Sequence, residues 1–111
     1  MELLAIFKGL SDPVRLRIFY LLIARPELCV CHLTDALQLP QSTVSRHLNI
    51  LKQAGVVQSE RRGQWVYYRL SGATAVQDFA GLIEQHDAPD MRSDIVRLSD
   101  SVCTNDVDSP I

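Results

Sequence analysis

Pro13, Pro26 and Pro40 cut the first half of this chain into helical runs too short to persist alone. Each run must bury an apolar face against its neighbours, so the chain is committed to a packed set of short helices. No stretch approaches the roughly 20 apolar residues of a membrane helix. Residues 1–10 carry Leu3, Leu4, Ile6, Phe7 and Leu10, a helix apolar on more than one side. Ser11-Asp12-Pro13 is a helix start: a capping side chain, then proline in the first turn, where its missing N–H costs nothing. Val14, Ile18, Leu21 and Leu22 follow at the helical period and stop ahead of Pro26. Residues 31–39 form a third helix with Leu33, Ala36 and Leu37 inward, and Pro40 separates it from a fourth.

The fourth helix, residues 42–54, has the clearest pattern. Val44, Leu48 and Leu51 make one apolar stripe; Ser42, Ser45, Arg46, Asn49 and Gln53 make the opposite polar one. Gly55 suits the left-handed C′ position. Residues 56–61 and 65–70 are strands by β-branched and aromatic content, joined by Arg62-Gly63-Gln64. Residues 73–86 form a further helix (Val76, Phe79, Ile83), and Met91, Ile95, Leu98 and Val102 mark a last one. Two short helices in series followed by a hairpin is the order of a winged helix-turn-helix. The expected fold is mainly α: five or six helices plus a two-stranded wing. At 111 residues the chain makes one domain, residues 1–98, with a polar tail, residues 99–111, that carries Cys103.

The formal charge of −2 argues against a nucleic-acid binder only as a total. Residues 41–76 hold five bases and one acid, and residues 77–111 hold two bases and eight acids. The basic block lies on the two elements that would face DNA. In a helix-turn-helix the second helix enters the major groove by its N-terminal end. Here that end carries Gln41, Ser42, Thr43, Ser45, Arg46 and His47, which suit base edges and phosphates. Arg61 and Arg62 at the hairpin tip would reach flanking phosphate or the minor groove. Binding of this kind is salt-sensitive, because it releases counterions. A polar stripe and two hairpin arginines are also what an ordinary solvated surface offers.

One recognition helix reads few base pairs, so specificity calls for a symmetric dimer on two half-sites. The first helix and the helix over 73–86 carry more apolar surface than a small domain should expose, and are the expected interface. The other use for that surface is to close the monomer core. The N-terminus has no basic n-region or cleavage site, and the expected compartment is the reducing cytoplasm.

Three cysteines, two of them in Cys29-Val30-Cys31, point to soft-metal chemistry rather than crosslinking. A helix N-terminus favours the thiolate. Residues at i and i+2 diverge by roughly 200° in regular helix, so joint ligation needs the first turn unwound or absent. Metal binding there would pull on the helix that positions residues 42–54. Cys103 is the remaining thiol, from the same chain or a partner. Three thiolates suit a pyramidal As(III) or Sb(III) centre, whereas tetrahedral Zn(II) or Cd(II) normally wants four donors. His32 is the nitrogen candidate for a mixed site. The plain alternative for each cysteine is a small buried hydrophobe.

Glu27-Leu28-Cys29-Val30-Cys31, then Ser45-Arg46-His47-Leu48, then Gly63-Gln64-Trp65-Val66-Tyr67-Tyr68-Arg69-Leu70 resemble the ArsR/SmtB family of metalloregulatory winged-helix repressors. Ser11-Asp12-Pro13-Val14-Arg15-Leu16 is similar to its second-helix start, and the likeness spans residues 3–70. The resemblance implies a homodimeric repressor of its own operon, released from operator DNA when a metalloid binds the Cys-Val-Cys segment. Cys29 and Cys31 match the family's two thiols, Ser42, Thr43, Ser45, Arg46 and His47 its recognition helix, and Arg62 its wing tip. Thr34 stands where enteric arsenic repressors have a third cysteine, and His32 where aspartate often follows. The N-terminal cysteine of the cadmium and lead sensors and the Asp/His pair of the zinc sensors are absent. As(III), with Sb(III) beside it, is therefore the expected inducer. The alternatives are a thiol redox sensor, a Cd/Pb/Zn sensor, or a metal-independent interaction domain. No phosphate-binding loop or Cys-X-X-Cys beside a βαβ unit supports an enzyme.

Overall fold

The computed structural model describes residues 2–86 and 89–100. Its elements are α1 (Glu2–Leu10), α2 (Pro13–Ala24), β1 (Leu28–Cys29), α3 (Val30–Leu37), α4 (Gln41–Gln53), β2 (Val57–Arg62), β3 (Trp65–Leu70), α5 (Thr74–Glu84) and α6 (Pro89–Ser99). This is the expected winged helix-turn-helix with six helices. Asp12 caps α2 in extended conformation, its Oδ2 accepting from the Val14 and Arg15 N–H groups at 2.9 and 3.1 Å. The apolar stripe of α4 is wholly inside: Val44, Leu48 and Leu51 are 0% exposed, against Ile6, Ile18, Phe19, Leu21, Leu33 and Val76. Burying one such side chain contributes roughly 2 kcal/mol.

Three details depart from the sequence reading. Leu28 and Cys29 form a short strand opposite Tyr68 and Tyr67, so the wing belongs to a three-stranded sheet of order β1-β3-β2. Two residues carry no periodicity, and the edge of β3 supplies the order. The wing turn has two residues rather than three, because Arg62 pairs with Trp65. Gly63 takes φ +65° at its first position, as a type II′ turn requires. Finally, α3 starts at Val30 and ends at Leu37, one residue early and two residues early. Gln38 ends it in the left-handed region (φ 58°), with its side chain donating to the Asp35 carbonyl at 2.8 Å.

Two contacts fix how the helices sit around the helix-turn-helix. Gly9 on α1 lies so close to α4 that a Cβ there would come within 2.9 Å of the Ala54 Cβ. On the other side, Asp94 of α6 is 1% exposed and takes both arms of the Arg17 guanidinium at 2.8 Å and Arg97 at 2.6 Å. The same two arginines donate to the last carbonyls of α3: Arg17 to Leu37 at 3.0 Å and Arg97 to Ala36 at 2.7 Å. One buried carboxylate thus ties α6 and α2 to the end of α3, just before the turn into α4.

Candidate functional site

The N-terminal end of α4 is the expected reading surface. Pro40 precedes it and has no side-chain cap; its carbonyl accepts from the Thr43 and Val44 N–H groups at 3.1 Å each. The first turn therefore keeps its positive dipole end facing outward, which favours phosphate. Gln41, Ser42 and Arg46 are exposed, and Thr43 and Ser45 are half-buried.

His47 sits differently from its neighbours: it is 6% exposed and turned toward α2. Its Nδ1 lies 3.2 Å from Arg15 Nη1 and 3.8 Å from Asp12 Oδ2. Arg15 also donates through Nε to the Gly9 carbonyl at 2.6 Å. The ring therefore accepts from Arg15 as neutral imidazole and locks α4 against the α1–α2 corner. At 6% exposure it presents little of its ring to a base edge, and its contacts with α2 give it a positioning part. The signal was in the sequence: with His47 included, the inward set is 44, 47, 48 and 51, a fuller helical stripe.

Burial pushes the His47 pKa below its ordinary 6.5; Asp12 opposes this, while Arg46 and Arg15 add to it. Burial raises the Asp12 pKa, but the Arg15 backbone N–H and charge, then His47 and the Val14 N–H, carry it below 3.8. The signs differ. Neutral His47 costs the fold nothing above its ordinary pKa. As pH falls below 6.5 the unfolded chain takes up the proton first, and stability drops. Asp12 contributes stability above its ordinary 3.8 and loses it only as pH falls through that range. The melting temperature is thus expected to fall from pH 6.5 to 5, and less steeply in His47→Gln, which keeps an acceptor that does not titrate. Equal slopes in the two proteins would show that His47 does not carry the effect.

The wing cations are also unequal. Arg61 is exposed, its Nη1 3.5 Å from the Gly63 carbonyl oxygen. Arg62 is turned back, donating to Glu27 Oε1 and Oε2 at 2.8 and 2.6 Å and to Glu60 at 3.0 Å. Its guanidinium carbon lies 4.7 Å from the Tyr67 ring centroid. Nothing in the local pattern announced Glu27, which is 35 residues away.

The structure separates the two adjacent cysteines. Cys29 ends β1 in extended conformation (φ −93°, ψ 168°), 1% exposed, with Sγ 3.1 Å from His32 Nδ1. Cys31 is half-buried in the first turn of α3 and is disulfide-bonded, so metal chemistry at the pair belongs to the reduced protein. Because Cys29 precedes the helix, the divergence of i and i+2 helical positions does not apply to it. Both cysteines line one cavity of about 230 Å³, with Thr34, Gln41, Gln64 and Trp65. Residues of the cysteine segment, the start of α4 and the wing thus meet around one space. Its soft sulfur donors fit a thiophilic ion better than a hard one. Cys103 lies outside the described residues. Among those described, no group of three or more His, Cys, Asp or Glu is placed to hold a metal ion. No described helix is long and apolar enough to cross a membrane.

One apolar face remains outward. Leu3, Leu4 and Phe7 of α1 and Leu82 of α5 are 44–52% exposed, and Phe7 meets Phe79 edge-on at 4.9 Å.

Comparison with known proteins agrees with this architecture. The family model "Bacterial regulatory protein, arsR family" matches residues 12–59. The arsenic resistance transcriptional regulator ArsR1 of Pseudomonas putida is 52% identical over 65 residues, 59% of this chain and 51% of the relative. A cadmium resistance transcriptional regulatory protein CadC homolog of Staphylococcus aureus is 39% identical over 70 residues, 63% of this chain and 58% of the relative. The chain thus spans between half and two thirds of the length of these relatives. The solution structure of a homodimeric winged helix-turn-helix DNA-binding domain from Mycobacterium bovis, a possible ArsR-family transcriptional regulator, superposes with a TM-score of 0.67 at 30% identity. That match covers 75% of each chain. The chain belongs to the arsR family of bacterial regulatory proteins and carries its winged helix-turn-helix.

Proposed function

We propose that this protein is a homodimeric transcriptional repressor of the cytoplasm, released from operator DNA when trivalent arsenic, or antimony, binds its cysteine thiolates. The observation that carries the reading is the shared cavity: Cys29 and Cys31 line it together with Gln41 of the recognition helix and Gln64 and Trp65 of the wing. Drawing two sulfurs onto one ion moves the end of β1 and the first turn of α3, and with them the spacing between the two DNA-facing elements. Gln41, Ser42, Thr43, Ser45 and Arg46 contact DNA from α4, His47 holds that helix in place, and Arg62 contacts DNA from the wing. Residues 1–98 act as the folded unit, and residues 99–111 bring Cys103 as third thiolate. The exposed apolar face of α1 and α5 forms the dimer contact, supported by the homodimeric M. bovis relative. Arsenic is favoured over cadmium because three thiolates complete a pyramidal centre but leave a tetrahedral one short.

The test is a mobility-shift titration of the reduced protein on the DNA upstream of its gene, with a non-thiol reductant. Arsenite is expected to weaken binding by roughly 10- to 100-fold, the span of ordinary allosteric couplings. Unchanged binding sinks the induction claim. Release by cadmium but not arsenite reassigns the inducer to a soft divalent ion, and release by peroxide alone makes the protein a redox sensor.

A further inference from the structure

Of the cations on the wing, Arg62 has the most elaborate surroundings. Its two nitrogens face the two oxygens of Glu27 in a fork-to-fork pair, one of them shared with Glu60, over the face of Tyr67. Glu27 is not part of the wing. It stands directly before β1, whose Cys29 lies opposite Tyr67 in the sheet. The pair is also solvent-facing: the Arg62 side chain is 46% exposed and that of Glu27 30%. A phosphate can therefore reach it, and an exposed pair is weak enough for a phosphate to displace.

We propose that Glu27 sets the operator affinity of this protein by competing with DNA phosphate for Arg62. In the free protein the guanidinium is held against Glu27. In the complex it turns to the backbone of the duplex, and the Glu27 carboxylate returns to water. The competitor sits two residues before Cys29, so a shift of the cysteine segment also changes how firmly the wing cation is held. This inference rests on the reading of the wing as a DNA-contacting element.

A double-mutant cycle by fluorescence anisotropy tests it, on a labelled duplex of about 30 base pairs from upstream of the gene, enough for two half-sites. Glu27→Gln is expected to bind about three- to fivefold tighter than the native chain. In an Arg62→Gln background the same substitution is expected to change affinity by less than about 1.5-fold, because the cation it competed for is gone. An equal gain in both backgrounds reports only the loss of a negative charge near DNA and overturns the proposal. Unchanged or weaker binding of Glu27→Gln overturns it too. If the native chain binds neither this duplex nor a random one, the DNA reading itself falls, and the competition with it.

Discussion

Asp94→Ala is expected to destabilise the fold by about 3 kcal/mol, seen as a shift of the urea midpoint at unchanged slope. Asp94 is buried, and its carboxylate satisfies Arg17 and Arg97 together. Removing it leaves two guanidiniums facing each other in a confined space. Breaking a buried pair typically costs about 3–5 kcal/mol; the lower end applies because the Arg17 and Arg97 side chains keep 27% and 35% of their surface in water. For a domain of this size that is a fall in melting temperature of more than roughly 10 °C. Asp94→Asn keeps the shape and part of the hydrogen bonding, and is expected to lie between the two. A loss below about 1 kcal/mol would place this cluster with ordinary surface ion pairs. DNA binding below the melting transition is expected to weaken as well. The same arginines hold the Ala36 and Leu37 carbonyls, and loosening them frees the turn into α4.

Replacing either Cys29 or Cys31 by serine is expected to leave DNA binding within about threefold and to raise the arsenite needed for release on the order of 100-fold. The separation of the two effects follows from where the sulfurs lie. A serine hydroxyl at position 29 stays beside His32 Nδ1, now 3.1 Å from the sulfur, and can donate to it. The cost of the change in the core is therefore about 1 kcal/mol. In the reduced protein, position 31 is half-buried and more tolerant. What serine lacks is a soft, readily ionised donor. Cys103→Ser is expected to lower arsenite affinity in the same direction. X-ray absorption on the arsenite-loaded, reduced protein is expected to count three sulfur neighbours in the native chain and two in that variant. Wild-type arsenite sensitivity in Cys29→Ser would remove Cys29 from the site.

Much of the fold was legible because its signals are local. Asp12-Pro13 starts α2, Pro40 and Gly55 bracket α4, and Val44, Leu48 and Leu51 mark its inward face; the observed bounds differ by one residue at each end. The hairpin was legible from β-branched and aromatic runs on either side of Gly63. The short β1 was not, because two residues have no period and owe their strand geometry to the edge of β3. The candidate site was legible in its residue types and only partly in its geometry. Nothing in Cys29-Val30-Cys31 says that one sulfur is buried against His32 ahead of the helix while the other lies in its first turn.

The sequence by itself determined the order of elements, the face that each helix buries and the family to which the chain belongs. These depend on spacing along one run of backbone, where a 3.6-residue period or a fixed φ acts within a turn or two. Only the tertiary structure decided that His47 points inward to Arg15, that Arg62 is held by Glu27, and that Asp94 of α6 pairs with Arg17 of α2. Those partners lie 32, 35 and 77 residues apart. A charge pair depends on distance in space, and distance in space is set by how the buried faces stack.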